Sequence, residues 1–101
     1  MGMANLQRMA QQMQQEMLRV QQELESATVD GSAGGGVVSA TVTGKQELLS
    51  LTIDPSAVDP NDVEMLQDLV VAAVNDALRA SRDLAEQKMS AVTGGLRLPG
   101  M

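Results

Sequence analysis

The sequence predicts an α+β fold: a long N-terminal helix, a three-stranded antiparallel sheet and a long C-terminal helix. Three observations carry that expectation. Leu6, Met9, Met13, Met17, Val20, Leu24 and Ala27 recur at spacings of three and four, the period of a helix with one apolar stripe. Residues 37–43 and 47–53 alternate between apolar and polar side chains, the period of a half-buried strand. Helical spacing then returns in Val63, Leu66, Leu69, Val70, Ala73, Val74, Ala77, Leu78 and Leu84.

The first helix is expected over 4–26, a rod about 35 Å long at 1.5 Å per residue. Between its apolar positions stand mainly Gln, Glu and Arg, which are fair to good helix formers. The mean step of the stripe is near 3.5 residues, as in a coiled-coil seam. Met9, Met13 and Met17 on that stripe read first as packing against the second long helix or a dimer mate. Because Met is adaptable, gripping a varied partner is the alternative.

The sheet is expected within 27–53. Ala27, Thr28 and Val29 read as a short first strand, and residues 30–36 as a glycine-rich turn. In the second strand Val38, Ala40 and Val42 share a face; in the third, Leu49, Leu51 and Ile53 do. Gly44 and Lys45 turn the chain between them, so the three strands form a meander. The second helix is expected over 60–92, with Asp59 as N-cap and Pro60 at its first position. Its apolar stretch from Leu69 to Val74 implies burial against the sheet, and its polar half from Arg79 onward implies projection. Thr93, Gly94 and Gly95 end it, leaving a loose tail within 94–101. No internal repeat is present, and the whole chain, 1–101, reads as one domain.

Composition narrows the function. There is no Phe, Tyr or Trp among 101 residues, so the core must be aliphatic. A small aliphatic domain with long helices gains from a second copy, and oligomerisation is expected on that ground. Cysteine and histidine are absent, which removes disulfides, thiolate metal sites and the commonest general base. That argues against an enzyme. No apolar run approaches the ~20 residues of a membrane span. The N-terminus has no signal-peptide core, and Leu6 stands where a myristoylation signal needs Ser or Thr. A cytoplasmic protein with no membrane partner and no small-molecule substrate is expected.

The glycine-rich stretch 31–36 is no phosphate loop, because Val37 and a strand follow where Lys-Ser or Lys-Thr and a helix are needed. Asp54, Asp59, Asp62 and Glu64 lack the alternation and central Gly of a calcium loop, and capping accounts for them. No cofactor, metal or catalytic residue is expected. The cations form the remaining candidate site. Arg8 and Arg19 lie on the first helix, and Arg79, Arg82 and Lys88 on the distal half of the second, with Arg97 in the tail. Spacing alone reads as solvated helix surface, with Glu16, Glu23, Asp83 and Glu86 pairing locally. Projecting helix ends in a dimer would instead present two such sets to DNA. The net charge of -6 and pI near 4.3 require the cations to be segregated, and imply weak, salt-sensitive binding.

Several segments resemble the YbaB/EbfC family of nucleoid-associated proteins. They are the Gln- and Met-rich opening from Met9 to Gln14, the glycine-rich loop leading to Val37, and the Ile53-Asp54-Pro55 corner. The most specific is the run from Glu64 through Asp68-Leu69-Val70-Val71-Ala72-Ala73-Val74 to Ala77, and the closing Gly94-Gly95-Leu96-Arg97-Leu98-Pro99-Gly100 fits as well. The resemblance covers nearly the whole chain. It implies a tweezer-like homodimer that binds double-stranded DNA in the nucleoid with little sequence preference, and a link to DNA replication or recombination proteins. It transfers no catalytic residue. Members often carry more Lys in and before the first helix, where this chain has Gln. On this reading Arg8, Arg19, Arg79, Arg82 and Lys88 contact DNA phosphates. The alternative is a dimeric protein-interaction module acting with replication or recombination proteins.

Overall fold

The computed structural model describes residues 2–94. Helix α1, Met3–Ser26, leads into strand β1, Thr28–Ala33; β2, Val38–Thr43, and β3, Leu48–Ile53, follow, and helix α2, Val63–Gly94, closes the described chain. The sheet has the order β1-β2-β3, with both pairs antiparallel. This is the α+β arrangement expected from the periodicities. The expected tail and Arg97 lie outside the described residues.

Register sets which side chains meet. Gly31 pairs with Ala40, which pairs with Leu51; Ala33 pairs with Val38, which pairs with Ile53. Paired residues share a face, so these positions all face α2. The helix packs chiefly over β1 and β2. Val38, Ala57 and Ala73 form one buried cluster, and Ala40, Val42 and Ala77 a second. β3 is left largely uncovered: Leu48, Leu49 and Leu51 are exposed.

The first strand runs four residues beyond the expected Val29. Gly31, Ser32 and Ala33 are strand, and the turn is confined to Gly34–Gly36, whose φ angles are all positive. The reason lies in α2. A Cβ on Gly31 would stand 2.1 Å from the Ala77 amide nitrogen and 2.7 Å from the Ala73 carbonyl oxygen. Gly31 is there to let two backbones touch, a use that composition alone reads as a turn. Asp76 Oδ2 then accepts the Ser32 N–H at 3.1 Å, satisfying a donor on the strand edge.

Two helix-end expectations also shift. Asp59 does not cap α2: its side chain accepts from the Asn61 N–H and its carbonyl from the Asp62 N–H, closing a tight turn through Pro60. Asp62 is the cap, with Oδ1 accepting the Met65 N–H at 3.1 Å, so the helix begins at Val63 rather than Pro60. At its far end the helix continues to Gly94. Along α2, Ala73, Ala77 and Ser81 are buried, whereas Val63 and Val71 in its first turns are exposed.

The helices join at one end of the sheet. Val20 and Leu24 of α1 are buried. Leu24 lies so close to Gly44 that a Cβ there would sit 2.7 Å from the Leu24 carbonyl oxygen. Past the sheet the two helices run on together, Glu16, Arg19 and Val20 sharing a groove with Lys88, Ala91 and Val92, in a molecule of 72 × 27 × 16 Å. The methionine stripe is still not buried as a whole: Met9 and Met17 are exposed and Met13 half-buried.

Candidate nucleic-acid interface

The hairpin between β2 and β3 fixes the geometry near the base of the helix pair. Gln46 N–H donates to the Thr43 carbonyl at 3.0 Å, and Thr43 N–H to the Glu47 carbonyl at 2.8 Å. The Thr43 hydroxyl accepts from the Lys45 and Glu47 N–H groups. Gln46 takes φ 64°, the one positive φ of a non-glycine among the described residues. From α2, the buried Ser81 hydroxyl donates to the Thr43 carbonyl at 2.8 Å. One threonine thus ties the hairpin to the helix and presents Lys45 at the tip.

The five cations expected at a DNA contact fall into three settings. Arg19 donates to Glu16 and Glu23 on its own helix, three and four residues away. Lys88 Nζ donates to Glu23 Oε2 at 3.0 Å, bridging α2 to α1. These two are brought together, with Glu23 shared between them. Arg79 lies 3.8 Å from Asp76 on the same helix. Arg8 and Arg82 form the third setting: among the described residues no carboxylate comes within the 4.0 Å of an ion pair. Lys45, which the spacing did not nominate, is equally unpaired among them.

Electrostatics follow these contacts. The Lys88 hydrogen bond, reinforced by the charges of Lys88 and Arg19, holds the Glu23 carboxyl below its ordinary 4.5. The Glu16 hydrogen bond, with both carboxylate charges, raises the Arg19 guanidinium. Local pairing of Arg19 with Glu16 and Glu23 was legible from helical spacing; the Glu23–Lys88 contact, 65 residues apart, was not. The groove between the helices is lined by Arg19, Glu23 and Lys88 beside Val20, Ala91 and Val92. Glu16 lines it too, so the two cations there are matched by two carboxylates, and an anionic oxygen meets them only by displacing Glu16 or Glu23. Among the described residues no three His, Cys, Asp or Glu side chains are placed to hold a metal ion, and no helix is long and apolar enough to cross a membrane.

Comparison with known proteins decides the family. Residues 1–96 match the model of the YbaB/EbfC DNA-binding family. The chain belongs to that family. A YbaB/EbfC relative from Moorella thermoacetica, named a nucleoid-associated protein, is 53% identical over 103 residues, covering 99% of both chains. One from Pelotomaculum thermopropionicum, of the same name, is 48% identical over 100 residues, covering 99% of this chain and 95% of the relative. The YbaB/EbfC fold has a solved counterpart in the crystal structure of an uncharacterized protein from Helicobacter pylori. It superposes with a TM-score of 0.72 at 26% identity, covering 96% of this chain and 99% of the other.

Proposed function

We propose that this chain is a nucleoid-associated protein that binds duplex DNA as a homodimer, mainly through phosphate contacts and with little sequence preference. The observation that carries the reading is membership of a DNA-binding family, in a fold where Arg8, Arg19, Arg79 and Arg82 lie on exposed helix surface and Lys88 is half-buried. Arg8, Arg19, Arg79, Arg82 and Lys88 are the contacts. Arg8 and Arg82 are free to meet phosphate directly, and the other three must exchange a carboxylate for it. Duplex is preferred over single strands, because a chain with no aromatic residue offers bases no stacking platform. The chain works as one unit in the cytoplasm, on the nucleoid, and carries out no catalysis.

The lopsided sheet supports the dimer. β3 is an edge strand with Leu48, Leu49 and Leu51 exposed, and Leu48 and Leu51, paired with Val42 and Ala40, lie on the side that α2 covers chiefly over β1 and β2. An exposed apolar edge strand recruits another strand. A second copy covers it, burying two symmetric patches at once.

A second reading has its own support. Met3, Leu6, Met9 and Met17 of α1 are exposed along its apolar stripe, with Leu18 exposed beside it, a Met-rich surface suited to a protein partner, among them replication or recombination proteins. Fluorescence anisotropy with a mixed-sequence duplex separates the two. Salt-sensitive binding supports the DNA reading. No binding at low salt, with one stoichiometric protein partner retained after nuclease treatment, supports the other.

A further inference from the structure

We infer that Lys45 and Arg82 together form a phosphodiester-binding corner at the base of the helix pair. The inference rests on the DNA-binding reading and adds to it a residue from the sheet.

The corner is built by one contact. Ser81 donates to the Thr43 carbonyl at 2.8 Å; Arg82 is the next residue along α2, and Lys45 lies two past Thr43. At 3.8 Å per Cα step, and with the Ser81–Thr43 hydrogen bond between them, the Cα atoms of Lys45 and Arg82 lie at most about 19 Å apart, and two long side chains bridge that distance to adjacent phosphates. Helical phase places Arg82 on the correct flank. Ala73, Ala77 and Ser81 face the sheet. One step of about 100° back from Ala77 is Asp76, which reaches Ser32 on the outer edge of β1. One step forward from Ser81, on the opposite flank, is Arg82, toward β3 and the hairpin.

Charge state supports the assignment. Three of the helix cations are already held by Glu16, Glu23 or Asp76. Lys45 and Arg82 have no carboxylate within ion-pair distance among the described residues, Glu47 and Glu86 included. A phosphate arriving there displaces no internal partner. Lys45 is also held out from a rigid turn by three hydrogen bonds to Thr43 oxygens, from the N–H groups of Lys45, Gln46 and Glu47. The cost of fixing a loop in place is therefore already met in the free protein.

The test is anisotropy of a mixed-sequence duplex over a range of salt, with wild type, Lys45→Gln, Arg82→Gln and the double variant. Light scattering and thermal unfolding confirm that each variant is folded and assembled as wild type. Each single change is expected to weaken binding roughly two- to fivefold and to lower the salt slope by about one for each corner of the dimer that engages the duplex; the double change should lower it by about two per corner. Wild-type binding with all three variants unchanged in affinity and slope would overturn the corner while leaving the DNA reading intact. No wild-type binding at low salt would overturn the DNA reading, and the corner with it.

Discussion

Lys88 on α2 and Glu23 on α1 are joined by a 3.0 Å hydrogen-bonded ion pair across 65 residues of sequence. Glu23 also accepts from Arg19, so one carboxylate occupies two of the cations proposed to meet DNA. On that proposal phosphate must compete with it. Replacing Glu23 by Gln is expected to tighten duplex binding roughly two- to fivefold at low salt, the scale of an exposed ion pair. Anisotropy checks this; weaker binding would show that Glu23 orients Arg19 and Lys88 for DNA rather than occupying them.

Acid stability follows from the same contact. The folded Glu23 carboxyl lies below its ordinary 4.5, chiefly through the Lys88 hydrogen bond. The folded Asp54 carboxyl lies below its ordinary 3.8, chiefly through the Ser56 N–H. Depressed carboxylates add stability that is full above the unfolded value and is lost as pH falls through the folded one. The melting temperature should therefore hold as pH falls toward about 5 and drop below it. The double variant Glu23→Gln with Asp54→Asn should show a smaller acid-side drop in thermal unfolding.

Gly31 sets the distance between α2 and the sheet. Gly31→Ala would put a methyl group 2.1 Å from the Ala77 nitrogen, and both neighbours are backbone. Destabilisation of roughly 1–3 kcal/mol or more is expected from such overpacking. Urea denaturation measures it.

Gln46 carries the opposite opportunity. Its φ of 64° is the left-handed region that glycine enters freely and other L-residues enter at a cost of about 1–2 kcal/mol. Gln46→Gly should stabilise the hairpin by about 1 kcal/mol, seen as a rise in the urea midpoint.

These two positions show how far the sequence could be read. The apolar stripe from Leu6 to Leu24 and the alternation in β2 and β3 are properties of the local chain, and both long helices and the meander were legible from them. Gly31 was not. A glycine beside Asp30 and Ser32 has the composition of a turn, and only the approach of Ala73 and Ala77, more than forty residues on, makes it strand. Asp59 and Asp62 are both competent caps before a helix; the Asp59-Pro60 turn uses up the first and leaves the second. At the candidate site, Arg82 and Lys88 were legible as helix-surface cations. Lys45 entered only once the Ser81–Thr43 hydrogen bond set the hairpin against α2.

The exposed β3 edge gives the test of assembly. Leu51, 39% exposed, lies on the face that α2 leaves open over β3. Leu51→Asp should shift the mass measured by light scattering from dimer to monomer. A wild-type chain that is monomeric at micromolar concentration would contradict the dimer.

The measurement that bears most directly on the central claim is anisotropy of two duplexes of unrelated sequence, titrated with wild-type protein from low to physiological salt. The account expects both to bind with similar affinity and to weaken together, steeply, as salt rises, because phosphates carry the contact. Absence of binding at low salt, or tight binding of one sequence that salt barely alters, would contradict it.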